Sequence, residues 1–156
     1  MKMMRMPRSI QAVNISVNSG ETAVRTALEK LQKALAPLNF APEELGSIEL
    51  VMAEALNNIV EHAYPEGSPA GPIRIRATHK SDGLHLTVVD EGLGMPEGKL
   101  PLGAPANVDV DFFDLPEGGF GWFLIKDLAK DVEYKRLGWE NHLKLRLAVG
   151  VNDDSA

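Results

Sequence analysis

The most constraining stretch of this chain runs from Ile73 to Asp90. Ile73, Ile75 and Ala77 alternate with polar residues. Ser81-Asp82-Gly83 then supplies a turn, and Leu84, Leu86 and Val88 resume the alternation. A period of two on either side of a glycine turn is the signature of an antiparallel hairpin with one buried face. A sheet with one apolar face must be covered by something. The sequence offers helices for that task.

Two helical segments precede the hairpin. Ala23, Ala27, Leu28, Leu31, Ala34 and Leu35 recur at helical spacing, with Ser19 expected as N-cap and Pro37 as the stop. Pro42-Glu43-Glu44 opens a second helix expected to reach His62 or Ala63, with Ile48, Met52, Ala55, Leu56, Ile59 and Val60 as its apolar stripe. A strand over 10–17 comes first. A helix from Gly119 to Ala129 and a hairpin of Val132–Leu137 and His142–Val149 come last. Strands cluster in hairpins instead of alternating singly with helices. The pattern predicts an α/β two-layer sandwich: a mixed, largely antiparallel sheet with helices packed on one face.

The 156 residues fit a single domain, with residues 152–156 as a frayed tail. There is no cysteine, which excludes disulfides, thiolate nucleophiles and cysteine-ligated zinc. A net charge of −6 argues against a nucleic-acid-binding surface. No window is apolar enough to span a bilayer, and no signal-peptide run follows the basic start. The expectation is a cytoplasmic protein bound neither to nucleic acid nor to membrane.

Three polar constellations interrupt the apolar pattern. In the second helix, Glu54, Asn58 and His62 stand four residues apart, offset by only about 40° per step. A glutamate can accept a proton or orient a hydroxyl, and an asparagine oxygen suits a hard cation such as Mg²⁺. A solvated helix face explains the same column. The run Val88-Val89-Asp90-Glu91-Gly92-Leu93-Gly94-Met95-Pro96 places an acid at a strand end before Gly-x-Gly. It reads as a pocket for an exocyclic amine or as a plain turn. The run Glu117-Gly118-Gly119-Phe120-Gly121-Trp122 leads into an apolar helix, as a phosphate loop or a hinge would. It is neither a Walker A loop nor a Rossmann fingerprint. Trp122, Phe123 and Ile125 read as core, and His79, His85 and His142 are too scattered for a metal site.

Taken in order, the three segments resemble the N, G1 and G2 boxes of the nucleotide-binding fold shared by gyrase B, Hsp90, histidine kinases and MutL. The E-A-x-x-N-x-x-x-H-A-Y, V-x-D-E-G-x-G-M-P and E-G-G-x-G-x-F-L-I runs are most similar to those of the anti-sigma factor serine kinases of the RsbW and SpoIIAB type. The resemblance covers the chain from the first strand through Leu147. It implies Glu54 as the base that activates the attacking hydroxyl, and Asn58 as the Mg²⁺ ligand. It implies His62 as a helix cap or phosphate contact, Asp90 as acceptor for the adenine amino group, and Gly92 and Gly94 as shapers of the adenine pocket. Gly119 and Gly121 match the phosphate-loop glycines. The Gly/Pro-rich segment of about 95–118 matches the ATP lid.

The resemblance further implies ATP and Mg²⁺ as cofactors. The implied partners are an alternative sigma factor and a STAS-type anti-sigma antagonist, and the implied assembly is a homodimer. The implied activity is a protein serine/threonine kinase that phosphorylates the antagonist and sequesters the sigma factor. The competing reading is a partner-switch module that binds nucleotide without catalysis. This chain departs from relatives at Leu115-Pro116-Glu117, where some carry an arginine, and its lid holds Asp109, Asp111 and Asp114 with Lys99 as the one basic residue.

Overall fold

The computed structural model describes residues 12–95 and 119–151, with the side chains of residues 119–121 left out. Five strands form one sheet: β1 (Val13–Asn18), β2 (Pro72–Lys80), β3 (Gly83–Asp90), β4 (Asp131–Leu137) and β5 (Glu140–Leu147). Their order is β1-β2-β3-β5-β4, and every pairing is antiparallel. The expected two-layer sandwich is present. The sheet is antiparallel throughout the described strands, because both hairpins close locally and β5 returns beside β3.

The helices are α1 (Ala23–Leu35), α2 (Pro42–Asn58) and α3 (Gly119–Leu128). α1 buries Ala23, Ala27, Leu31 and Leu35 at four-residue intervals. α2 packs against both α1 and α3. It buries Ile48, Val51, Met52, Ala55 and Leu56. These side chains meet Ile73, Ile75, Ala77, Leu84, Leu86, Val88, Leu143, Leu145 and Leu147 from the sheet, together with Trp122 and Ile125 from α3, in one apolar core. The outer face of the sheet carries the other parity: Arg74, Arg76 and Thr78 of β2, and Lys144 and Arg146 of β5.

Three local readings are corrected. Ser19 does not cap α1, which starts after Thr22 without a side-chain cap. Ser19 is buried and clips the end of β1 to the loop before β2. Its N–H donates to the Gly71 carbonyl at 2.8 Å, and its hydroxyl accepts from the Gly71 N–H at 3.0 Å. α1 ends at Leu35, with Pro37 inside a following 3₁₀ turn, Ala36–Leu38. The second helix is α-helical only to Asn58, and Ile59–Ala63 forms a π-type turn in which the Tyr64 N–H bonds the Ile59 carbonyl at 3.2 Å.

The start of α2 follows the sequence closely. Pro42 takes the first helical position, and the Glu44 carboxylate accepts from the Ala41 N–H at 2.9 Å. Its other oxygen accepts from the Gly150 N–H at 2.8 Å. These two bonds, that to Gly150 first, hold the Glu44 carboxyl below its ordinary pKa. One side chain thus caps a helix and fastens the segment after β5.

Candidate nucleotide site

The inward parity of the sheet is apolar apart from the buried His79 at one end and a polar cluster at the other. Cross-strand register puts Ile73, Asp90, Asn141 and Arg136 in a single rung across β2, β3, β5 and β4. The next rung is Ile75, Val88, Leu143 and Tyr134. Asp90 and Asn141 are 4% and 3% exposed, so the sheet buries a carboxylate against an amide.

Both internal hydrogen bonds to that carboxylate use the same oxygen. Asp90 Oδ1 accepts from the Gly92 N–H at 2.9 Å and from Asn141 Nδ2 at 2.7 Å. Among the described residues Oδ2 takes none, which leaves it as an acceptor for a ligand. Burial pushes the Asp90 carboxyl above its ordinary pKa, while the Asn141 and Gly92 donors and the nearby Arg136 charge pull the other way.

The loop after β3 is tied down from two sides. From the helical layer, the Leu93 N–H donates to the Ala63 carbonyl at 2.8 Å, and the Glu91 N–H donates to the Tyr64 hydroxyl at 2.7 Å. Tyr64 in turn donates to the Pro72 carbonyl at 2.7 Å. Gly92 sits so close to Ala63 that a Cβ there would collide with the Ala63 carbonyl. From the sheet, Asn141 Nδ2 donates to the Leu93 carbonyl at 2.9 Å and Arg136 donates to the Gly92 carbonyl at 2.6 Å. The Met95 N–H donates to the Tyr134 hydroxyl at 2.9 Å.

The helix column is only partly retained. Asn58 is buried, and its Nδ2 donates to the Glu54 carbonyl at 2.8 Å. That bond fixes the amide so that Oδ1 is the atom left to meet a cation. Glu54 is half-buried, and its carboxylate has no partner among the described residues. His62 is exposed and lies beyond the change from α to π hydrogen bonding. Widening the turn between Asn58 and His62 breaks the four-residue alignment, so His62 is not carried on one line with Glu54 and Asn58.

Gly92 and Gly94 lie in the tied loop, and the exposed Gly94 faces the Arg136 side chain. Gly119 is the first residue of α3, and Gly121 lies in its first turn. α3 packs on α2, so both motif-bearing helices belong to the same layer. The expected lid, beyond Met95, lies outside the described residues. Trp122 and Ile125 are buried in the core, and Phe123 is half-buried. His79 lies 3.0 Å from the Gly150 carbonyl, while His85 pairs with Asp82 and His142 with Glu140.

Tyr64, Tyr134, Arg136 and Asn141 are functional candidates that sequence reading missed. A signal existed for Asn141, since it shares inward parity with Leu143, Leu145 and Leu147, where a polar residue needs a partner. Starting the strand at His142 hid that parity.

The residues present fit a nucleotide held with a hard cation. Among the described residues no cluster of three or more His, Cys, Asp or Glu could cage a metal. A single asparagine oxygen is what Mg²⁺ requires when phosphates and water supply its other ligands.

Known proteins resemble this chain in sequence and in fold. A family model described as histidine kinase-like ATPase domain matches residues 17–147. A serine-protein kinase RsbW of Halalkalibacterium halodurans is 31% identical over 106 residues, covering 63% of this chain and 59% of that protein. One of the same name from Bacillus cereus is 31% identical over 97 residues, covering 62% and 59%. The chain thus spans about three-fifths of the length of the curated relatives it matches. The crystal structure of the RsbU and RsbW domains of a Mycobacterium tuberculosis protein superposes with a TM-score of 0.62 at 18% identity, over 90% of this chain and 33% of that one. That likeness speaks for the fold. With the family model matched from the first strand to the last, the chain belongs to the histidine kinase-like ATPase domain family.

Proposed function

We propose that this chain is an ATP-dependent protein serine/threonine kinase and anti-sigma factor. In this reading it phosphorylates a STAS-type antagonist and holds an alternative sigma factor in a cytoplasmic partner-switching system. It acts as a single domain over residues 1–156 and as a homodimer. The name shared by its relatives, serine-protein kinase RsbW, supports the kinase class.

The observation that carries the reading is the pairing of Glu54 with Asn58. One helical turn apart, they combine a carboxylate that has no partner among the described residues with a buried amide whose oxygen takes no bond from them. Asn58 Oδ1 would help hold Mg²⁺, which when bound with ATP offsets the negative charge developing at the γ-phosphate. Asp90 Oδ2 would accept from the adenine amine. Gly119 and Gly121 would let the α3 N-terminus approach the phosphates. Glu54 would take the proton of the partner's serine or threonine hydroxyl. Phosphorylation then adds charge to the partner and alters its affinity.

A phosphotransfer assay with the cognate antagonist tests this. The expected result is phosphorylation by wild type and its loss in Glu54→Gln. Equal transfer by both proteins would remove Glu54 as the base. ATP binding without transfer by either would favour a non-catalytic binding module.

A further inference from the structure

Arg136 and Asn141 form a polar relay into Asp90 whose direction is fixed. Asn141 Oδ1 accepts from the Tyr134 hydroxyl at 2.7 Å and from Arg136 at 3.0 Å. The Tyr134 hydroxyl accepts from the Met95 N–H and gives its own hydrogen to Asn141. Arg136 can only donate. On the other side, Asn141 Nδ2 faces the Asp90 carboxylate and the carbonyls of Gly92 and Leu93, all of which can only accept. The amide therefore cannot flip without opposing donor to donor and acceptor to acceptor.

We infer that Arg136 and Asn141 are positioning residues for base recognition: they lock the Asn141 amide so that Asp90 spends Oδ1 internally and presents Oδ2 as a fixed acceptor for an exocyclic amine. The inference rests on the adenine-nucleotide reading of the site. It concerns the purine 6-position. An amine there donates to Oδ2, whereas a 6-oxo group would set acceptor against acceptor in a buried place. The titratable and charged groups that act on Asp90 are Arg136 from β4, His142 from β5 and Tyr64 after α2, with Glu91 next to it in the chain. The groups that donate to the carboxylate are Asn141 Nδ2 and the Gly92 N–H, and both favour its ionised, accepting form.

The test titrates wild type, Arg136→Met, Arg136→Lys and Asn141→Ala with ADP and with inosine diphosphate, its 6-oxo counterpart, in the presence of Mg²⁺. The melting temperature of each free protein controls for folding. Wild type is expected to prefer ADP. Arg136→Met and Asn141→Ala lower that preference by about five- to tenfold, and Arg136→Lys, which keeps a donor, recovers part of it. ADP binding by Asn141→Ala also begins to fail at a higher pH than in wild type, because Asp90 has lost a donor that favours its charge.

Equal weakening of both diphosphates, or an unchanged preference in folded variants, overturns the inference. Wild type that binds both diphosphates without preference also overturns it, while nucleotide binding stands. Wild type that binds neither diphosphate refutes the adenine-nucleotide reading itself, and the positioning role falls with it. Arg136 is exposed and serves the test even if Asn141→Ala does not fold.

Discussion

Asp90 and Asn141 stand directly opposite each other on β3 and β5, and the Asn141 amide meets the Asp90 carboxylate at 2.7 Å in the buried end of the sheet. A carboxylate in that position is costly to bury, and its raised pKa expresses the cost. The folded molecule therefore holds the Asp90 proton to higher pH than the unfolded chain does. Stability from this group is fully present below the ordinary carboxylate pKa and is lost as pH rises through the folded value.

Asp90→Asn separates that cost from function. The substituted amide keeps an oxygen for the Gly92 and Asn141 donors but turns an N–H toward the ligand. ADP affinity is expected to fall about a hundredfold, ~2.7 kcal/mol. The melting temperature at neutral pH should not fall. Calorimetric titration and thermal melts across pH check the pair of outcomes.

Asn58→Ala removes an oxygen suited to a cation and the amide bond to the Glu54 carbonyl. ATP affinity in Mg²⁺ is expected to weaken about tenfold, ~1.4 kcal/mol. Chelating the metal should weaken binding by wild type but change little in the variant. Titration with and without EDTA measures this, and an equal metal effect on both proteins would place the cation elsewhere.

Tyr64→Phe deletes the hydroxyl that joins the Pro72 carbonyl to the Glu91 N–H. Both partners lose a bond of 2.7 Å, so the folded state is expected to lose about 1–3 kcal/mol. Denaturant unfolding reads the loss. Hydrogen exchange should show faster exchange at Glu91 and at Leu93, whose N–H is tied to Ala63 in the same loop.

Glu44→Gln addresses acid stability. The folded pKa of Glu44 is lowered, so its contribution is present above the unfolded value near 4.5 and is lost as pH falls through the folded value. The variant is expected to be about 1 kcal/mol less stable at pH 7 and closer to wild type in acid. Melting temperatures from pH 7 down to pH 3 would show the two curves converging. Parallel curves would mean that the bonds to Ala41 and Gly150 do not depend on the charge.

The sequence by itself determined the elements and their facing. Ile73, Ile75 and Ala77 against Leu84, Leu86 and Val88 allowed only a one-sided hairpin, because a period of two sorts side chains by face before any tertiary contact forms. Pro42 with Glu43 and Glu44 set the start of α2 through backbone geometry and charge that act within one turn. Glu54, Asn58, Asp90, Gly92, Gly94, Gly119 and Gly121 were singled out because their types break a local pattern. The tertiary structure alone decided what lies across from them. Asp90 and Asn141 are 51 residues apart, and Arg136 reaches a carbonyl 44 residues away. The π turn at Ile59–Ala63 has no periodic sign in the residues. Where it takes hold, the Ala63 carbonyl meets the Leu93 N–H of another element. Ser19 bonds Gly71 and not its own helix for a comparable reason. A local cap and a long-range clip use the same hydroxyl, and only the packing of β1 beside β2 selects between them.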